Sequence, residues 1–502
     1  MNILAKQGEA TTASTELLVC LTYEKEKSWN KALGALDKKL GGQLSDVKKT
    51  GEFSGKPNET TLLHINGKIP AKRVLLVGLG TRETLTLERV RQAMGMAVKR
   101  ARRVKAKGMA CVMPDVPKST GRLDDVAQAM AEGAVIGSYR FTKYFTDHAE
   151  DHKTLQACTL LAPKAPNHAL VTAGAKRGHI LGEATCFVRD MCNHPANVMK
   201  PSRVVAEAKS IAKESKIRLK VLDRQNMKKL GMGGLLGVAQ GSIEPPHFII
   251  LEYSGGPKTQ RPIVLVGKTV TFDSGGISLK PSENMEHMKA DMTGGAEVLA
   301  AVRAASRLKL PMNVIGLLPV TENMPGGRAT KPGDVLTMLS GKTVEVQNTD
   351  AEGRLILADG LAYATRLKPA CVIDIATLTG AAMVALGNVA IGMLGNDDAL
   401  KTAMRQAGHD SGERVWEMPL WDEYFEQLKS DVADMRNIGG RGGGMITAAL
   451  FLSKFIGDHP WVHLDIAATD WSASERACFS KGPTGTGTRL LIQYLINRAN
   501  GS

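Results

Sequence analysis

The chain has 502 residues, 43% hydrophobic and only 4% aromatic, with 65 Lys and Arg set against 50 Asp and Glu for a formal net charge of +15. That length exceeds what one core organises, since single cores stop growing near about 250–300 residues. A mean hydropathy of −0.12 with regular apolar segments excludes a disordered chain, and no run reaches the ~20 apolar residues of a membrane helix.

The first twenty residues lack a basic cap followed by an apolar stretch and turn polar at Gln7, so export is not expected. The seven cysteines include no C-x-x-C pair and read as reduced thiols in a cytoplasm. An extended segment Glu16–Tyr23, strands at Thr60–Ile65 and Arg73–Leu79, and helices near 84–107 and 121–138 suggest a small α/β domain over 1–165. Residues 1–180 carry a balance of +12, with 29 basic and 17 acidic side chains, against +3 for the remainder. The densest stretch is Leu87–Lys107, with Arg89, Arg91, Lys99, Arg100, Arg102, Arg103, Lys105 and Lys107. Such a run reads as a solvated helix face, or alternatively as a phosphate-binding surface for DNA.

A helical connector over 166–190 leads to a larger part, 191–502. There, candidate strands at Leu219–Leu222, Phe248–Tyr253, Ile263–Val266, Asn313–Pro319, Thr343–Gln347, Cys371–Ala376 and Val462–Ile466 alternate with helical patterns at Ser202–Glu214, Thr293–Leu308, Arg354–Thr365 and Ile446–Phe455. Several strands are continuous apolar runs, as a sheet covered on both faces requires. The expected fold class is α/β, a small N-terminal α/β domain plus a larger α/β domain whose mixed central sheet is covered by helices on both faces. Gly439–Gly444 and Gly482–Gly487 read as mobile or closely packed loops.

Some familiar motifs fail. Gly267-Lys268-Thr269 resembles the end of a phosphate loop, but position 262 is Pro where the loop needs glycine. Ser274 lacks the upstream glycine of a nucleophile elbow, and there is no H-E-x-x-H helix. What remains is a density of acids and lysines at strand ends: Lys268, Asp273, Lys280 and Asp291 after one strand, Asp350 and Glu352 after another. Ligands of open α/β sheets bind beyond the carboxyl ends of strands. In an extended backbone Asp350 and Glu352, two apart, would point into one space. Converging carboxylates repel unless cations neutralise them, and hard oxygen ligands suit Mg, Mn or borderline Zn, often as a pair about 3.5–4 Å apart.

The segments Gly267-Lys-Thr-Val-Thr-Phe-Asp-Ser-Gly-Gly-Ile-Ser-Leu-Lys280, Lys289-Ala-Asp-Met-Thr-Gly-Gly295 and above all Asn348-Thr-Asp-Ala-Glu-Gly-Arg-Leu355 resemble the signatures of the leucyl aminopeptidase (cytosol aminopeptidase) family, bacterial aminopeptidase A type. The likeness extends from Arg189-Asp190 to Gly482-Pro-Thr-Gly485; it departs at Thr269, where the family usually has glycine. It implies a metallo-exopeptidase with two divalent ions, Mn2+ or Zn2+, held by Lys268, Asp273, Asp291, Asp350 and Glu352, with Asp273 and Glu352 bridging. It further implies Lys280 as the oxyanion-stabilising cation, and Arg354 holding a bicarbonate that shuttles the proton. His287 is the nearest histidine and reads as a loop residue. Met288, Thr377 and Gly380 resemble the pocket for the substrate's side chain, suited to leucine or methionine. Peptides with a free N-terminus, a homohexamer of two stacked trimers and a cytoplasmic location complete what the resemblance implies. DNA binding through the basic domain and a two-metal phosphoesterase are the alternatives.

Overall fold

Apolar strands and glycine-spaced helices set the architecture of the computed structural model, which describes residues 1–26, 28–147, 155–162, 165–214 and 217–501. The chain divides into two compact units, Met1–Cys186 with Ala473–Lys481, and Phe187–Ser472 with Gly482–Ser502. The division falls inside one long helix, Ala165–Asn193, and the first unit also takes a short return segment from late in the sequence.

In the first unit, the described residues form a six-stranded sheet in the order Asn2–Gln7, Ala157–Ala162, Gly108–Val112, Leu17–Thr22, Arg73–Gly78, Thr60–His64. All neighbours are parallel except the last pair, where Thr60 faces Val77 and His64 faces Arg73. Three of these strands have no counterpart in the sequence reading. Asn2–Gln7 is largely exposed and carries little apolar signal, while Gly108–Val112 and Ala157–Ala162 are five or six residues long. Separate apolar clusters fill the two faces of the sheet.

The basic helix, Leu87–Arg103, is not simply a solvated face. Arg91 is 1% exposed and pairs with the fully buried Glu132, which also accepts from Gln128 Nε2 at 2.7 Å. Lys99 is also buried, against Glu475 Oε1 at 2.8 Å and the carbonyl of Arg476. The cause is glycine. A Cβ on Gly133 would stand 2.2 Å from the Arg91 carbonyl oxygen, so Leu87–Arg103 and Leu123–Ser138 touch backbone to backbone and enclose the Arg91 side chain against Glu132.

The second unit carries a mixed sheet in the order Val415–Glu417, Ile391–Gly395, Trp461–Asp465, Cys371–Ala376, Ile263–Gly267, Asn313–Asn323, His247–Ser254, Arg218–Leu222. Thr269–Asp273 continues alongside the far end of Asn313–Asn323. The four central strands are parallel, and antiparallel pairs lie toward both edges. Helices Pro201–Glu214, Thr293–Arg307, Asp398–Ser411 and Thr488–Ala499 group together, and Gly233–Val238, Gly353–Thr365 and Gly444–Ser453 form another packed group. Central strands such as Ile263–Gly267 and Cys371–Ala376 are buried at every residue, as double coverage demands. Their carboxyl ends open on one edge of the sheet, and the acids and lysines gather there.

Candidate metal centre

Lys268 occupies the crossing between the strands Ile263–Gly267 and Thr269–Asp273. Its N–H donates to the Ile375 carbonyl at 3.1 Å, and its own carbonyl accepts from Gly295 at 2.8 Å. The fit leaves no slack: a Cβ on Gly294 would lie 2.1 Å from the Ile375 oxygen, and one on Gly295 2.0 Å from Thr269 Oγ1. Thr269 is accommodated by that missing side chain and returns its hydroxyl to the Gly267 carbonyl at 2.8 Å.

So fixed, the Lys268 ammonium meets Asp291 Oδ1 at 2.7 Å, Glu352 Oε1 at 2.9 Å and the Thr377 carbonyl at 2.8 Å. Asp291 closes the 3-10 turn Met285–Ala290, and its Oδ1 also accepts from Thr377 Oγ1 at 2.8 Å. Asp273 ends its strand after a register shift between Val270 and Asp273, which turns the carboxylate onto Asn323, its partner across the ladder. Asn323 Nδ2 donates to Asp273 Oδ1 at 2.8 Å and to the Thr349 carbonyl at 3.0 Å. Lys280 contacts Asp273 Oδ2 at 2.8 Å and also Asp350.

Asp350 and Glu352 converge by a different route from the extended one expected. The strand stops at Glu345, Ala351 N closes a turn on the Asn348 carbonyl at 3.3 Å, and Glu352 has helical dihedrals (φ −77°, ψ −34°) at the start of Gly353–Thr365. The turn is pinned by Asn437, which is fully buried. Its Oδ1 accepts from Gln347 N at 2.9 Å and Asn348 N at 3.3 Å, and its Nδ2 donates to the carbonyls of Asn348 at 2.7 Å and Ala351 at 3.3 Å. One ligand atom each from Asp273, Asp350 and Glu352 then falls within 4.8 Å of the others.

The electrostatics are those of a site short of positive charge. Burial raises the pKa of Asp291, Asp350 and Glu352, with neighbouring carboxylates adding to the rise. Burial alone would lower Lys268 and Lys280, but the surrounding acids outweigh it and hold both lysines firmly protonated. Two carboxylate oxygens, Asp291 Oδ2 and Glu352 Oε2, are buried without a hydrogen-bond partner. Buried acceptors are normally satisfied. Crowded hard oxygens beside an amine, with orphaned lone pairs, fit divalent cations of the Mn or Zn kind.

Arg354 follows in the first helical turn, 6% exposed, with Nη1 donating to the Asn437 carbonyl at 2.8 Å and Nε unpartnered. Burial lowers its pKa to about 10, against the pull of Glu352 and Asp465. Of the expected pocket, Met288 is half-buried on the turn that ends in Asp291, and Thr377 is buried with its hydroxyl committed to Asp291. Gly380 is exposed, with open space where a Cβ would stand. His287 stacks on Trp471 with ring centroids 4.0 Å apart. Asn323, Asn437 and Asp465 were absent from the sequence reading. Asp465 gathers the N–H groups of Leu378 and Thr379 at 3.2 and 3.4 Å and the Thr379 hydroxyl at 2.7 Å. No local spacing marks these three, because each acts on a segment about 26 to 89 residues away.

A family model described as cytosol aminopeptidase family, catalytic domain, matches residues 186–492, and that family's N-terminal domain model matches residues 19–148. A relative from Geobacter sp. (strain M21), named a probable cytosol aminopeptidase, is 46% identical over 485 residues, covering 96% of this chain and 97% of its own. One of the same name from Roseiflexus castenholzii is 44% identical over 498 residues, 99% of each chain. Among solved structures, the bottromycin maturation enzyme BotP in complex with Mn superposes with a TM-score of 0.84 at 33% identity, covering 97% of this chain and 100% of that one. A tomato leucine aminopeptidase mutant gives 0.88 at 32% identity, covering 99% and 96%.

Proposed function

The chain belongs to the cytosol aminopeptidase family and is a metal-dependent aminopeptidase, and from that premise we propose that it releases N-terminal residues, leucine and other apolar ones foremost, from peptides by attack of a metal-activated water. The observation that carries the reading is the meeting of Asp273, Asp350 and Glu352 within 4.8 Å, with Lys268 on Glu352 and Asp291 beside them. In this reading Lys268, Asp273, Asp291, Asp350 and Glu352 would together hold two divalent ions. Two bound Mn or Zn ions supply a water of near-neutral pKa and polarise the scissile carbonyl.

The protein's own groups do the rest. Lys268 must surrender its proton to become a ligand, since only the neutral amine has a lone pair, and ordinary lysine holds that proton to a pH near ~10.4. Lys280, once its acids are shared with cations, offers its ammonium to the oxyanion of the tetrahedral intermediate. Arg354 presents an unpartnered Nε and a planar fork that would suit holding a bicarbonate in two places, an anion that would supply a proton acceptor there. Asn437 holds Arg354 and the 348–351 turn in one frame. Met288 and Gly380 shape the space for the departing residue's side chain. A homohexamer is the assembly that accompanies this reading, and solution mass measures it.

The test is hydrolysis of leucyl-p-nitroanilide with added manganese, beside its N-acetylated counterpart and the Asp350→Ala variant. The free amine is required and the variant is inactive if the reading holds. Cleavage of the acetylated compound at a similar rate sinks it.

A further inference from the structure

The glycine-rich run Gly439–Gly444 joins two sides of the candidate site. At one end Asn437 holds the turn that carries Asp350 and receives Arg354. At the other, Gly444 opens the helix Gly444–Ser453 against the expected pocket rim, where a Cβ on it would stand 3.2 Å from the Cβ of Ala381, the residue after Gly380. Between these ends the course of the run is fixed. Gly440 N–H donates to Gln427 Oε1 at 2.9 Å, and the carbonyl of Gly443, at φ +69°, accepts from Thr447 N–H at 2.9 Å.

Arg441 is the only residue of the run with a side chain. It is exposed, and lies three residues from Gly444 and four from Asn437, so its Cα is at most about 11 Å from the first and about 14 Å from the second. Its flank is open, since a Cβ on Gly442 would meet nothing within 4 Å. Other cations around the run are engaged: Lys454 with Asp422 at 3.5 Å, Lys429 with Glu426 at 2.7 Å, and Arg436 with Gln347 Oε1 at 3.3 Å. Arg441 makes no hydrogen bond or ion pair to another residue among those described.

A guanidinium on a pinned backbone with no side chains beside it is a rigid donor fork offered to whatever approaches the site, and that fork matches a carboxylate. A short peptide carries one such group at a set place. Its amine and first carbonyl belong at the metal centre, and in a tripeptide the terminal carboxylate lies two residues, about 7 Å, beyond the scissile bond.

We propose that Arg441 is a specificity-determining residue that binds the C-terminal carboxylate of short peptides, so that di- or tripeptides are favoured over capped or longer chains with the same N-terminal residue. This rests on the aminopeptidase reading above and adds a constraint at the far end of the substrate, leaving the N-terminal preference as it stands. Because the run is anchored at both ends, the fork has a fixed reach, and a carboxylate several residues further out falls beyond it.

The experiment compares kcat/KM for leucyl-glycine, leucyl-glycyl-glycine and leucyl-tetraglycine, each beside its C-terminal amide, on the manganese-loaded enzyme in wild type, Arg441→Gln and Arg441→Lys. Wild type should favour acid over amide by about fivefold for at least one of the two shorter peptides, the worth of one exposed ion pair, and by less than about twofold for the longest. The contrast should shrink as salt is raised from about 0.02 to about 0.3 M, vanish in the glutamine variant and survive in part in the lysine variant. A wild-type contrast below about twofold at both short lengths overturns the proposal even if the variants fail to fold, and so does an equal contrast in the longest peptide or one that persists in Arg441→Gln. Hydrolysis of every peptide without regard to its C-terminus removes this proposal alone. Failure to hydrolyse any of them, or leucyl-p-nitroanilide, removes the aminopeptidase reading and this proposal with it.

Discussion

Asn437→Ala tests whether the acid-bearing turn is held from outside. The substitution deletes four hydrogen bonds, from Gln347 N and Asn348 N and to the carbonyls of Asn348 and Ala351, while the Asn437 carbonyl that receives Arg354 survives. At the low end of roughly 0.5 kcal/mol net for each bond, the loss is about 2 kcal/mol. The bound state must now also order Asp350 and Glu352, so the loss is read as about a 30-fold weaker apparent manganese affinity, within the roughly 10–100-fold that outer partners of metal ligands contribute. The assay is manganese titration followed by calorimetry and by recovery of leucyl-p-nitroanilide hydrolysis. The expected signature is a raised manganese requirement, with activity partly restored at high metal. A dissociation constant within about threefold of wild type would refute the idea that Asn437 organises the site.

Three further outcomes follow from the same geometry. Lys268→Arg keeps a positive charge but provides no lone pair, and Gly353 leaves no room for a guanidinium, since a Cβ there already lies 2.6 Å from Lys268 Cε. Metal content by mass spectrometry and activity should both drop by more than the ~100-fold ceiling for an outer partner, and an active arginine variant would contradict Lys268 as a ligand. Arg354→Ala should lose about a hundredfold in kcat while retaining its metal; full activity in bicarbonate buffer would refute its role. Asp359 is fully buried, accepting from Leu235 N at 2.9 Å and Leu339 N at 2.8 Å, and burial raises its pKa to about 7 despite those donors. The folded state therefore binds a proton that the unfolded chain releases near pH ~4, so this contribution to stability is greatest below pH ~4 and is lost as pH rises toward ~7. Unfolding of wild type relative to Asp359→Asn, which does not titrate, should show that decline between pH 5 and 7, and a flat or rising difference would overturn it.

How much of this could be read from residues alone depended on whether the information was local. Lys268, Asp273, Asp291, Asp350 and Glu352 lie in three short segments at the ends of apolar strands, and the structure gathers those segments at one edge of the sheet. The route by which Asp350 and Glu352 meet was not local, because the turn exists through Asn437, delivered by the pairing of Glu345 with Arg436. Asn323 likewise reaches Asp273 only through strand register. The basic helix misled for the same reason. Its charge was visible, but Gly133, which brings a second helix close enough to enclose Arg91, lies 42 residues further on. The opening strand Asn2–Gln7 escaped notice because an edge position imposes little apolar alternation.

The glycines around Lys268 divide the molecule into what can change and what cannot. Gly294 and Gly295 leave no volume for even a methyl group, whereas Gly380 on the rim faces open space. A lineage that acquires new substrates can therefore explore side chains at the rim, one position at a time, without disturbing the floor on which hydrolysis depends. The chemistry is inherited as a fixed part, and the diet is free to drift.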